Sequence, residues 1–229
     1  MNHILFSSKM KLADMLLANY KLLLVLNRFD IHLGFGEKSI EEVCNKRGIP
    51  TSLFLLVCNV YSFSDYLPPK DKLQSFNAKD LIQYLHSSHA YYKEKSIPEI
   101  NKKLTAIVTR INSKAALMLQ RFYDDYQTEV LNHFNYEETV AFPYVDSLLN
   151  GNICKEYSIS KFEENHSNIE EKLNDLKNII IKYLPDADSP EELNDLLINL
   201  FELEDDLEKH TLIEDKILIP IVSQLELRK

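Results

Sequence analysis

The chain has 229 residues, of which 45% are hydrophobic and 27% charged, and its formal net charge is −9. This composition is typical of a soluble globular protein, and the acidic balance argues against a nucleic-acid partner, which needs a basic face to meet phosphates. Only four glycines occur, which favours helices over a β-rich or loop-rich fold.

Cysteine usage and hydropathy predict a cytoplasmic protein. Cys44, Cys58 and Cys154 form neither a disulfide framework nor a Cys-x2-Cys metal motif, as is usual in a reducing compartment. No apolar run approaches the ~20 residues that a membrane span requires. No small-residue cleavage site follows the first apolar patch. We therefore expect neither a signal peptide nor a membrane partner.

Residues 1–66 predict a small helical N-terminal domain. Apolar residues at three- and four-residue spacing indicate a helix over 12–28, a capping box at Ser39 begins a second, and a third begins at Leu53. Helix, tight turn and helix is also the order of DNA-reading motifs. The segment in the recognition position is nearly all apolar, however, so packing is the better account.

The stretch 67–76 predicts a linker, since two prolines and three charged residues interrupt any helix. Residues 77–229 then contain four long helical patterns. Their start signals are Asn77, Ser113, Ser160 and Ser189, and the expected helices cover 78–111, 113–149, 161–184 and 190–224. Short connections make such helices alternate in direction. The predicted fold is all-α, an up-down-up-down four-helix bundle preceded by a small helical domain.

One motif occurs twice in the predicted bundle. His133-x3-Glu137 is followed by a proline ten residues after the histidine, and His210-x3-Glu214 is followed by a proline at the same distance. Residues four apart on a helix differ by roughly 40° in direction. Each pair therefore points one imidazole and one carboxylate at the same volume.

A second spacing extends the repeat. His89 precedes His133 by 44 residues, and His166 precedes His210 by the same 44. Such internal duplication predicts a metal site at the pseudo-twofold centre of the bundle. His86, one turn before His89, is an alternative first ligand, although the 44-residue symmetry favours His89.

The ligand types favour iron. Four imidazoles and two carboxylates are too many for one tetrahedral zinc, and calcium or magnesium prefers mostly oxygen. Mixed nitrogen and carboxylate ligands in a helical bundle suit a di-iron pair. The ferritin-like class needs Glu-x-x-His twice, and only Glu163 and His166 offer that spacing at the relevant place. The remaining alternative is a bundle whose histidines pack without any metal.

These motifs resemble those of the hemerythrin-like (HHE) cation-binding domain, and a Phe-Pro or Ile-Pro step follows each His-x3-Glu. The residues that carry the resemblance are His89, His133, Glu137, His166, His210 and Glu214. More closely, residues 8–225 resemble the di-iron proteins for the repair of iron centres. That family has adjacent cysteines in its N-terminal domain, where this chain has Gly34 and Phe35, so a thiol role there is not expected.

The resemblance implies a cofactor of two non-haem iron ions with open positions for O2, NO or peroxide. The implied pairs are His89 with His133 and His166 with His210, bridged by Glu137 and Glu214. Glu170 lies where oxygen-carrying hemerythrins have an extra histidine and is a further candidate ligand.

The resemblance also implies a function in nitrosative and oxidative stress. The protein would bind or reduce NO or peroxide, or supply iron for the repair of clusters in iron–sulfur proteins. The alternative is a non-catalytic O2 or NO sensor or carrier that signals through the N-terminal domain. The sequence leaves the oligomeric state open.

Overall fold

The computed structural model describes residues 5–152, 157–165, 169–184 and 190–228, apart from the side chains of 164, 165 and 169–171. Regular structure in these residues is helical, and their one extended pairing is an isolated antiparallel bridge between Lys11 and Ser39. None of the described helices combines the length and apolarity needed to cross a membrane. The predicted all-α fold class is confirmed.

The first predicted helix is broken in two. Helices Leu12–Ala18 and Leu22–Arg28 replace the single helix expected over 12–28. The break lies at Asn19, whose side-chain oxygen accepts a hydrogen bond from the Lys21 N–H at 3.1 Å. A side chain that binds nearby backbone competes with the helix for those groups. The spacing of apolar residues carries no information about this competition, so it does not predict the break.

Two further helices, Ile40–Arg47 and Thr51–Ser62, follow in the N-terminal region. The capping box is confirmed, because the Ser39 hydroxyl accepts from the Glu42 N–H at 3.3 Å and the Glu42 carboxylate accepts from the Ser39 N–H at 2.7 Å. Gly48 ends the first of these helices with a left-handed φ of 70°, a conformation that glycine adopts without steric cost.

The described residues group into two compact units, each assembled from separate stretches of chain. One comprises Met1–Ser88, Tyr144–Ser160 and Lys209–Lys229, and the other comprises His89–Pro143 and Lys161–Glu208. The segment expected to be a linker, 67–76, contains a one-turn helix at Lys70–Leu73. The predicted domain boundary in that segment stays a prediction.

The bundle helices lie close to where they were expected. The first covers 78–111, the second 114–149 and the fourth 190–227; in the region of the third, the described helical residues are Ile159–Asn165 and Ile169–Tyr183. Residues 166–168, between the latter two, are outside the described part of the chain.

Two of the predicted helix starts are confirmed. The Asn77 side chain accepts from the Lys79 N–H at 2.9 Å, and the Ser113 hydroxyl accepts from the Ala116 N–H at 3.1 Å. Ser160 is not a cap, since its helix already begins one residue earlier. Ser189 lies outside the described residues.

The second unit buries one apolar core to which all four bundle helices contribute. Its members include Leu104, Ile107, Leu119, Val130, Leu173, Leu176, Leu196 and Leu200. Each aliphatic side chain removed from water in this way contributes about 1.5–3 kcal/mol relative to exposure. This core holds the four helices of the second unit together.

Truncation of a buried and of an exposed residue on the third bundle helix should have different effects on stability. Leu176→Ala should lower the free energy of unfolding by about 2–5 kcal/mol, because Leu176 is fully buried and truncation leaves a cavity. Ile181→Ala on the same helix should change it by less than about 0.5 kcal/mol, since Ile181 is 59% exposed. Urea titration followed by circular dichroism measures both, and equal losses would contradict this account of the core.

Candidate metal centre

Three of the long bundle helices share an unusual backbone feature, a five-residue π-helical turn. The turns are Tyr92–Ser96, Glu137–Ala141 and Glu214–Leu218. In each helix a proline is the second residue after the turn, namely Pro98, Pro143 and Pro220. The turn and the proline therefore form one repeated local structure.

Proline explains why the helix widens at these places. Its ring lacks an N–H and collides with the carbonyl four residues earlier, so an ordinary α-helical bond cannot form there. In the turn just before each proline, the N–H of Phe142 donates to the carbonyl of Glu137, and that of Ile219 donates to Glu214, five residues back in each case. Prolines inside helices often produce kinks, and in this structure each of the three lies just after a π turn.

The two His-x3-Glu motifs each bring an imidazole to a carboxylate. His133 Nε2 lies 3.1 Å from Glu137 Oε1, and His210 Nε2 lies 3.2 Å from Glu214 Oε1. Both glutamates begin a π turn, and both side chains are 0% exposed. The convergence expected from helical spacing is present within each pair.

His89 approaches Glu137 from the first bundle helix. Its Nε2 lies 3.1 Å from Glu137 Oε2, so the two oxygens of this carboxylate each face a different imidazole. The ring stacks on Phe134 with centroids 4.4 Å apart and on Phe142 at 5.6 Å. These aromatic contacts fix the plane of the imidazole and keep water from it.

One polar cluster unites the two motifs. Among the described residues, His89, Glu137, His210 and Glu214 each offer a ligand atom, and these four atoms all lie within 4.8 Å of one another. All four residues are buried. Two carboxylates and two imidazoles in one buried volume are the kind of donor set that holds a metal ion in a protein.

The donor set fits a cation on electrostatic grounds. His89 faces a carboxylate at each ring nitrogen, Glu137 at Nε2 and Glu138 at Nδ1, whereas a neutral imidazole has only one N–H. If the N–H is on Nδ1, Nε2 has no proton to donate to Glu137. A cation held between Nε2 and Glu137 removes the repulsion between these two acceptors and compensates the cost of burying the carboxylate. Two ligand atoms about 2.1 Å from one ion and at right angles lie about 3.0 Å apart, close to the observed separations.

The other predicted ligands differ in position. His133 lies beside Glu137 but is not among the four clustered residues, and His86, which is partly buried, is not among them either. His166 and the side chain of Glu170 lie outside the described residues. The full ligand set therefore stays a prediction.

Sequence reasoning did not single out Glu138, which contacts His89 at 2.7 Å. A signal was present, because an acidic residue directly follows the glutamate in both halves of the repeat, Glu138 after Glu137 and Asp215 after Glu214. Helical periodicity points such neighbours roughly 100° away from the ligand, so spacing alone does not indicate that they contact the same histidine.

The described cysteines are not suited to redox chemistry. Cys44 and Cys58 are fully buried free thiols. Burial raises the pKa of Cys44 to about 11, against a weaker opposing hydrogen bond from Thr51, and burial also raises the pKa of Cys58 well above its ordinary value. Both stay protonated at neutral pH, and the thiolate is the reactive form.

The thiols should accordingly resist alkylation. At pH 8, iodoacetamide should modify Cys44 and Cys58 much more slowly in the folded protein than in urea, because burial disfavours the thiolate and blocks access. Site-resolved mass spectrometry measures the two rates. Rapid modification of Cys44 in the folded protein would contradict its assignment as an inert core residue.

The buried carboxylates should be required for metal binding. The double variant Glu137→Ala, Glu214→Ala should lose bound metal, and added metal should no longer raise its Tm, because a ligand stabilises only the folded state that binds it. Glu202→Ala, an exposed position on the fourth bundle helix, is the control and should behave as the original protein. Elemental analysis and thermal unfolding provide the readouts. Full metal content in the double variant would show that the two glutamates are not metal ligands.

Comparison with known proteins identifies the class of this site. The hemerythrin HHE cation-binding domain matches residues 80–222, more than half of the chain and all of the clustered residues. A search of curated proteins found no match. The expected resemblance to hemerythrin-like domains is confirmed, whereas the closer resemblance to the iron-centre repair proteins stays a prediction. The chain belongs to the hemerythrin HHE cation-binding domain family.

Proposed function

We propose that this protein is a non-haem di-iron protein of the nitrosative and oxidative stress response. It binds or reduces NO or peroxide, or supplies iron for the repair of iron–sulfur clusters. The observation that carries the proposal is the buried cluster of His89, Glu137, His210 and Glu214. Mixed imidazole and carboxylate donors inside a helical bundle suit iron better than zinc, calcium or magnesium.

The geometry of Glu137 supports a site for two ions. Each of its oxygens lies 3.1 Å from a different imidazole, that of His89 or that of His133. A carboxylate that uses both oxygens in this way can bridge two metal ions. Glu214 occupies the corresponding place in the other half of the repeat, beside His210. Two carboxylates and four histidines leave each ion with fewer protein ligands than an octahedral site accepts, so small molecules have room to bind.

The chemistry follows from the charge that such a pair carries. With two ferrous ions bound, the site would supply the two electrons that, together with two protons, convert two NO molecules into N2O and water. The chain supplies two carboxylates against four positive charges, and its neutral imidazoles add none. The net positive charge that remains favours electron-rich ligands.

The aromatic side chains around His89 keep the site dry. Phe134 stacks on both His89 and Tyr92, and Phe142 also stacks on the imidazole of His89. NO, O2 and peroxide are small, and the first two are weakly polar, so they enter an apolar surrounding more readily than charged reductants do. This enclosure protects a ligated small molecule from competing reactions with water.

We place the reaction in the cytoplasm, with iron–sulfur proteins as partners for iron transfer.

Metal content is the first test. Protein purified from iron-rich growth should contain about two iron ions per chain, and His133→Ala, His210→Ala should lose both together, because the ions share bridging ligands. Elemental analysis gives the stoichiometry. One ion per chain, or zinc in place of iron, would contradict a di-iron centre.

Turnover is the second test. The anaerobically reduced protein should produce N2O from NO over repeated cycles when a chemical reductant is supplied, as gas chromatography would detect. Reversible binding of NO without N2O would contradict catalysis and would favour a sensor or carrier. Restoration of a damaged iron–sulfur enzyme by the iron-loaded protein, absent with Glu137→Ala, Glu214→Ala, is the outcome expected of a repair function.

A further inference from the structure

Glu138 contacts the one nitrogen of His89 that points away from the cluster. Its Oε1 lies 2.7 Å from His89 Nδ1, while His89 Nε2 faces Glu137. The histidine side chain is 1% exposed and that of Glu138 is 26% exposed. The second carboxylate thus connects the buried imidazole with the outer face of the helix.

We propose that Glu138 is a positioning residue that holds the proton of His89 on Nδ1 and thereby directs the Nε2 lone pair into the metal site. An ionised carboxylate only accepts hydrogen bonds, so the Nδ1 atom beside it must donate. A neutral imidazole with its proton on Nδ1 presents a lone pair at Nε2. The inference rests on the metal binding proposed above.

The aromatic neighbours of His89 make this contact necessary. Stacking on Phe134 and Phe142 fixes the plane of the ring, but the two faces of an aromatic ring do not distinguish an imidazole from the same imidazole rotated by half a turn. That rotation would replace Nε2 by a carbon atom at the site. The hydrogen bond from Nδ1 to Glu138 selects the rotamer that can bind metal.

The local backbone explains how two consecutive glutamates reach one ring. Glu137 and Glu138 are the first two residues of a π turn, and neighbouring side chains on a helix diverge by roughly 100°. One carboxylate therefore meets the inner edge of His89 and the other meets its outer edge. The sequence separation of 49 residues from His89 to Glu138 recurs from His166 to Asp215, so the repeat contains an acidic residue at the equivalent place in its second half.

A zinc titration tests the assignment on the intact chain. Zn²⁺, a diamagnetic probe, is titrated against a competing chelator. Glu138→Ala should weaken zinc affinity by about 10–100-fold, the usual effect of removing the partner of a ligating histidine. Glu138→Gln keeps an acceptor oxygen and should recover most of that loss. Glu129 lies on the same bundle helix as Glu138 and forms an ion pair with Lys172 of the third bundle helix. Glu129→Ala is therefore the control for loss of a surface charge and should leave the affinity unchanged.

A spectroscopic measurement separates positioning from simple stabilisation. In the zinc-loaded protein, nitrogen NMR should show the His89 proton on Nδ1 with slow solvent exchange, and Glu138→Ala should speed that exchange. Equal zinc affinity in Glu138→Ala and the original protein would overturn the proposal while leaving the metal site intact. An equal weakening in the Glu129 control would also overturn it, as a general charge effect. Failure of the original protein to bind any metal would instead overturn the metal site itself.

Discussion

Two carboxylates buried in the interior of a helical bundle are the constraint on which the rest of this structure depends. Glu137 and Glu214 are both 0% exposed, and an ionised carboxylate without water is very costly unless opposite charge or hydrogen-bond donors compensate it. Each has an imidazole four residues earlier on its own helix. The bundle provides the enclosure, and the histidines together with a metal ion provide the compensation.

The backbone participates in this arrangement. Both glutamates are the first residue of a π turn, and a proline follows six residues later in each case. The proline removes the α-helical bond to the carbonyl two residues after the glutamate, and the carbonyl of the glutamate itself accepts a bond from five residues ahead. The residue that supplies the carboxylate side chain is thus also the residue whose backbone begins the irregular turn. The proline, the irregular turn and the ligand thus occur together in both halves of the repeat.

Prediction from the sequence succeeded where the interaction is local. The pairing of His133 with Glu137 follows from helical geometry alone, and the caps at Asn77 and Ser113 depend on backbone groups two or three residues away. The break at Asn19 was missed because its side-chain amide also donates to the carbonyl of Tyr61, 42 residues away. The contact of Glu138 with His89 has the same character. Such distant partners become visible only when helices are placed beside one another.

The first bundle helix departs from the pattern of the second and fourth at the start of its π turn. Its π turn begins with Tyr92 where the other two begin with glutamate, and its proline has the same relative position. Tyr92 is fully buried and stacks on Phe134 at 5.4 Å. The first helix therefore adds His89 and an aromatic wall but no third carboxylate at this position. A third buried carboxylate would add to the cost of keeping charge away from water, whereas an aromatic ring fills the same position without that cost.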